Sequence, residues 1–119
     1  MKRVTGIGGV FFKTKDPQES RNWYQNHLGI NSTQYGATFK WLDKDNPKKE
    51  GNTTWNPFPK DTRYFDPAQQ EFMINYRVEN LEALLVELEQ EGVTMVGEMH
   101  SFAYGKFAGS LDPDVYTIE

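Results

Sequence analysis

Two histidines and no cysteine leave this chain few ways to build a metal site or an activated nucleophile. A thiolate zinc site, a disulfide framework and a cysteine nucleophile are all excluded. His27 lies in NWYQNHLGI and His100 in GEMHSFAYG. An imidazole beside two aromatics suits a metal ligand or a general base, but His27 also falls in the last turn of a well-signed helix. There the helix dipole favours a partly charged ring, and a structural role follows. His100 reads as a solvated residue in a polar turn between strands. No Ser-His-Asp set, phosphate loop or nucleotide fingerprint is visible. Cations offer a different chemistry: Arg77 and Lys13, on one face of two strand-like runs, suit an anionic group.

The elements that hold these residues are legible from punctuation and period. Asp16 caps a helix, Pro17 takes its first position, Glu19 completes a capping box and Gly29 ends it. Asn80 caps a second helix, in which Leu81, Leu84, Leu85 and Leu88 form an apolar stripe before Gly92. Glu82, Glu87 and Glu89 then make a solvated face. A strand-like run precedes each helix, GGVFFKTK and EFMINYRV, and a shift of 64 residues lays Asp16 on Asn80 and Val10 on Ile74. Further strands follow: STQYGATFKWL and NTTWNPF in the first half, TMVGEM, KFAGSL and VYTIE in the second. PFPKDTRYFDPAQQ reads as the linker between halves. The chain is strand, helix, strands, written twice, and internal duplication is evidence about architecture.

Within EFMINYRV, Phe72, Ile74, Tyr76 and Val78 alternate with Glu71, Met73, Asn75 and Arg77. The apolar set is expected beneath the second helix, and the mixed set faces water or a cavity. By the same shift Gly9, Phe11 and Lys13 join the mixed face. Tyr35, Phe39 and Trp41 alternate as a core face.

Seventeen acidic against thirteen basic residues give a net charge of −4, which argues against nucleic acid as a partner. The start, MKRVTGIGGVFF, has the basic residues and apolar run of a signal peptide, but the run stops at KTKD and lacks a cleavage site. It reads as a strand, with the cytoplasm as the expected compartment. No run approaches the ~18 apolar residues of a membrane span.

In the order and spacing of GIGGVFFKTKDPQESRNWYQNHLGI, TTWNPFPKDTRYF, FMINYRVENLEALLVELEQEGV and YGKFAGSLDP with the final IE, the chain resembles the glyoxalase, bleomycin-resistance and extradiol-dioxygenase (vicinal oxygen chelate) superfamily. The resemblance implies an α+β fold: one glyoxalase-like domain, residues 1–119, of two βαβββ modules (about 1–60 and 70–119). Their strands form a cup-shaped mixed sheet, often in a homodimer. It also implies where a metal would be held, and there the sequence departs. The first-strand ligand positions correspond to Gly9 and Met73, neither a good partner for a hard or borderline divalent ion. Only the last-strand carboxylate, Glu119, matches, and the expectation is no cofactor and no metal.

The implied function is therefore metal-independent binding of a small molecule, in a cup lined by Phe11, Trp55, Phe58, Asn75, Arg77, Lys106 and Glu119. Two alternatives stand beside it. One is a metal-dependent lyase, isomerase or dioxygenase of the glyoxalase type; the other is a non-catalytic dimeric accessory protein.

Overall fold

The computed structural model describes residues 3–102, 105–112 and 117–118; for 102, 105, 117 and 118 it describes the backbone alone. Glu119, expected in the cup, and Val115 and Tyr116 of the expected last strand lie outside the described residues. Among the described residues, seven strands and two helices follow in the order β1 (Val4–Thr14), α1 (Pro17–Leu28), β2 (Ala37–Leu42), β3 (Glu50–Pro59), β4 (Phe72–Val78), α2 (Leu81–Gln90), β5 (Met95–Phe102), β6 (Gly105–Leu111) and β7 (Thr117–Ile118). They form one mixed sheet ordered β2-β3-β1-β4-β7-β6-β5.

The helix ends follow from their capping residues. The Asp16 carboxylate accepts from the backbone N–H of Gln18 (3.1 Å) and Glu19 (3.2 Å), and Gly29 closes α1 with φ of 70°, a left-handed conformation that costs glycine little. Asn80 accepts from the N–H of Ala83 at 3.1 Å.

The internal duplication is visible in the pairing. β1 pairs parallel with β3 on one side and antiparallel with β4 on the other, and β4 pairs parallel with β7. Val10 lies opposite Ile74, the residue 64 positions on, so a local twofold axis between the halves passes through that pair. The other neighbours follow suit: Val10 is also opposite Trp55, and Ile74 opposite Ile118. One strand breaks the symmetry. In the second half β5 pairs with the outer side of β6, whereas its counterpart in the first half is reduced to a Thr33–Gly36 bridge. β2 is therefore an edge strand.

That edge explains one correction. Tyr35 is 77% exposed and Phe39 49% exposed, so the alternation of Tyr35, Phe39 and Trp41 does not mark a covered core face. A second correction concerns the segment between halves. It is a packed cap, in which Phe65 is 1% and Ala68 3% exposed. The second helix, α2, packs chiefly on β6.

Candidate functional site

A cavity of ≈ 1490 Å³ opens over the sheet. Its floor runs along β1, flanked by β4 and β3. In antiparallel pairing, residues directly opposite share a face, and Met73 and Asn75 of β4 stand opposite Phe11 and Gly9 of β1. On the other flank Thr54 and Asn56 of β3 stand beside Gly9 and Phe11. Met73, Asn75, Thr54, Asn56 and Phe58 all line the cavity.

Arg77 marks one end. Its Nε donates to the Thr5 hydroxyl and Nη2 to the Thr5 carbonyl, both at 3.2 Å. The guanidinium lies 3.8 Å from the centroid of the Trp41 ring, within the range of a cation–π contact. Trp41 is itself fixed, because its indole N–H donates to the Thr53 hydroxyl at 3.1 Å. No carboxylate among the described residues pairs with Arg77, whereas Arg3, Lys40, Arg63 and Lys106 each have one. Asp43 lies within the influence of the Arg77 charge. Its carboxyl is held below the usual range chiefly by the Asp45 backbone N–H, then by that of Asn46 and the charges of Lys49 and Arg77.

Space for these side chains comes from glycine. A Cβ on Gly6 would collide with the Arg77 guanidinium, and one on Gly8 with the Asn75 amide oxygen. A Cβ on Gly9 would stand 2.8 Å from Cζ of Phe11. Three side chains thus lie across the backbone of β1.

The opposite end is aromatic. Phe11 meets Phe58 edge-on at 5.5 Å between centroids, and Tyr64 lies 5.4 Å from Phe58, a geometry favoured by ring quadrupoles. Phe65 backs Phe58 at 5.4 Å from beneath the cap. Beside this end, Asn56 accepts through Oδ1 from Nη2 of Arg21 at 3.4 Å. Asn56 also lines the cavity.

Of the residues expected in the cup, Phe11, Phe58, Asn75 and Arg77 line the cavity. Lys106 borders it, but its ammonium is paired with Glu82 of α2. Trp55 does not join them. It packs against Phe12 at 5.4 Å and Tyr24 of α1 at 4.9 Å, on the helix side of the sheet. Tyr76, expected beneath the second helix, borders the cavity. His100 belongs to β5 opposite Phe107, not to a turn, and lines the cavity. Its polar side chain is tolerated on an edge strand that meets water. His27 is exposed and rests on Trp23 at 4.8 Å. Sequence reasoning missed Thr54 and Asn56, although period two from Phe58 reaches both, and it missed Tyr64, hidden in the supposed linker. Among the described residues no three His, Asp or Glu side chains converge as metal ligands.

No family model and no curated relative matches the sequence. Solved structures do match. Methylmalonyl-CoA epimerase from Mycobacterium tuberculosis is similar with a TM-score of 0.62 at 19% identity, over 99% of this chain and 87% of that one. A variant of the Streptomyces coelicolor epimerase in complex with 2-nitronate-propionyl-CoA gives 0.67 at 14% identity, over 97% and 94%. A Legionella pneumophila protein described as an NAD-dependent benzaldehyde dehydrogenase gives 0.59 at 16% identity, over 92% and 93%. At such identities the likeness shows the fold alone: this chain has a glyoxalase-like fold.

Proposed function

We propose that this chain is a single glyoxalase-like domain, of modules about 1–60 and 70–119, that binds a small organic molecule in its cup without a metal. The observation that carries the reading is the occupancy of the position where metal-using relatives place a first-strand ligand. At Gly9 the ring of Phe11 covers the floor, so a histidine there would have to displace it. Its counterpart Met73 is 1% exposed and offers only a thioether, a poor ligand for hard or borderline ions. The described residues of the cup do not fit a divalent ion, and its aromatic rings and polar groups suit an organic ligand. That an epimerase of this fold holds a CoA nitronate supports use of the cup for small molecules.

The same chain forms a homodimer in this reading. The exposed aromatics on and beside the edge strand β2, Tyr35 and Phe39, support it. We place the protein in the cytoplasm, which the incorporation of the early apolar run into β1 supports.

Elemental analysis after dialysis, melting curves with zinc, nickel, manganese and iron(II), and melting curves with a library of aromatic compounds test the reading. Organic compounds raise the melting temperature and metals do not. Near-stoichiometric metal, with a rise in melting temperature lost in Glu119→Gln, would promote the glyoxalase-type enzyme. A stable dimer that no compound stabilises would promote the accessory protein.

A further inference from the structure

The cup is zoned along its strands. At one end are Arg77 and Asn75, with Thr54 across the glycine floor; at the other are Phe11, Phe58 and Tyr64. On β4 the distance from Arg77 to Met73, the residue opposite Phe11, is four residues, or about 13 Å at ~3.3 Å per residue. Among the described residues that line the cavity, Arg77 is the Lys or Arg side chain with no carboxylate pairing. A guanidinium has five N–H donors, and Thr5 takes two of them. The stack on Trp41 and the two bonds to Thr5 hold the plane in place, so little freedom remains to be lost on binding. Lys106 and Arg63, which also border the cavity, are committed to Glu82 and Asp66.

Resting on the reading of the cup as a small-molecule site, we propose that its ligand is an elongated amphipathic anion. An oxyanion head pairs with Arg77, and a flat apolar tail lies among Phe11, Phe58 and Tyr64. Carboxylate and phosphate share the required chemistry, since both match the guanidinium fork. A neutral head of the same shape leaves the half-buried cation without its partner.

The test uses the full-length protein and four probes: 6-phenylhexanoate, its primary amide, 6-phenylhexyl phosphate, and hexanoate, which lacks the ring. Affinities come from calorimetry. The Trp41 indole N–H resonance reports the head, and the ring resonances of Phe58 and Tyr64 report the tail. At least one phenyl oxyanion binds about tenfold or more tighter than the amide, as a charge-assisted hydrogen bond implies, and it moves the Trp41 signal. The carboxylate-to-phosphate ratio identifies the head, and hexanoate binds more weakly than its phenyl analogue. Arg77→Gln abolishes the preference over the amide, while Arg77→Lys, which keeps the charge, retains part of it. Dispersed amide spectra establish that both variants fold. Equal binding of anions and amide overturns this proposal and leaves the cup a small-molecule site. So does an anion preference that survives in Arg77→Gln. If none of the probes, charged or neutral, perturbs the cup resonances, the small-molecule reading falls with it.

Discussion

Replacing Phe65 by alanine separates a packed cap from a linker. The side chain is 1% exposed, lies 5.4 Å from the Phe58 ring and 6.4 Å from Tyr64, and carries the Lys13 ammonium 5.5 Å from its centroid. Truncating a fully buried phenylalanine costs about 3–5 kcal/mol through lost transfer energy and the cavity left behind. For a domain of this size each kcal/mol moves the midpoint by roughly 3–5 °C, so the expected fall is roughly 9–25 °C. A solvated linker residue would change stability by no more than about 0.5 kcal/mol. Guanidinium unfolding followed by far-UV circular dichroism measures the difference, with an unchanged m-value as the check that two-state behaviour holds. Phe65→Leu, which keeps most of the volume, loses less and keeps the series measurable if the alanine variant unfolds. Phe39→Ala, on the exposed edge strand, is the control and costs less than about 1 kcal/mol. A Phe65→Ala loss below about 1 kcal/mol would refute the packed cap, and with it the support it gives Phe58.

Asp16→Ala, which removes the acceptor of two backbone N–H groups, lowers stability by about 0.5–2 kcal/mol, while Asp16→Asn retains most of it; thermal melts measure both. Glu91 is held below its ordinary pKa of 4.5 chiefly by its hydrogen bond from Arg3. Because the folded value is the lower one, the contribution of this pair is present above pH 4.5 and is lost as pH falls through the depressed value. The difference in melting temperature between the parent and Glu91→Gln is therefore present at pH 7, shrinks on acidification and shrinks in high salt; a difference that grows in acid would contradict this. Gly8→Val drives a branched Cβ into the Asn75 side chain and costs about 1–3 kcal/mol by overpacking, read by denaturant titration, with Gly8→Ala the milder case.

The helices were legible because their signals are local. Asp16–Pro17 and Asn80 supply acceptors within one turn, and Gly29 meets the backbone demand at the exit. The duplication was legible too, since strand and helix share one offset. What failed depended on neighbours far along the chain. Tyr35 and Phe39 alternate like core residues, yet the strand that would lie outside β2 is reduced to a single bridge. The segment around Phe65 carries the Pro and Asp of a linker, and only its return over Phe58 makes it part of the core. His100 looked like a loop residue because Gly97 and Ser101 flank it, but β5 continues through it to Phe102.

The cup was legible where its strands are regular. β4 runs without a register shift from Phe72 to Ile74, and period two along it assigns Asn75 and Arg77 to the cavity. Trp55 and Phe58 could not both have been cup residues, because positions three apart on a strand face opposite ways. Aromatic character suggested the pair, and the spacing already argued against it. β1 is harder, since its pairing with β4 shifts between Val4 and Gly6 and again between Ile7 and Gly9. Such irregularities break the alternation, which is why the face inferred for Gly9 and Phe11 did not extend to Gly6 and Gly8. Those two glycines are what the cup is built around. Each leaves out a side chain so that one from β4 can lie across the strand, Arg77 over Gly6 and Asn75 over Gly8. Polar groups can therefore reach the floor at that end, and Phe11, folded back over Gly9, makes the next stretch of the same strand apolar.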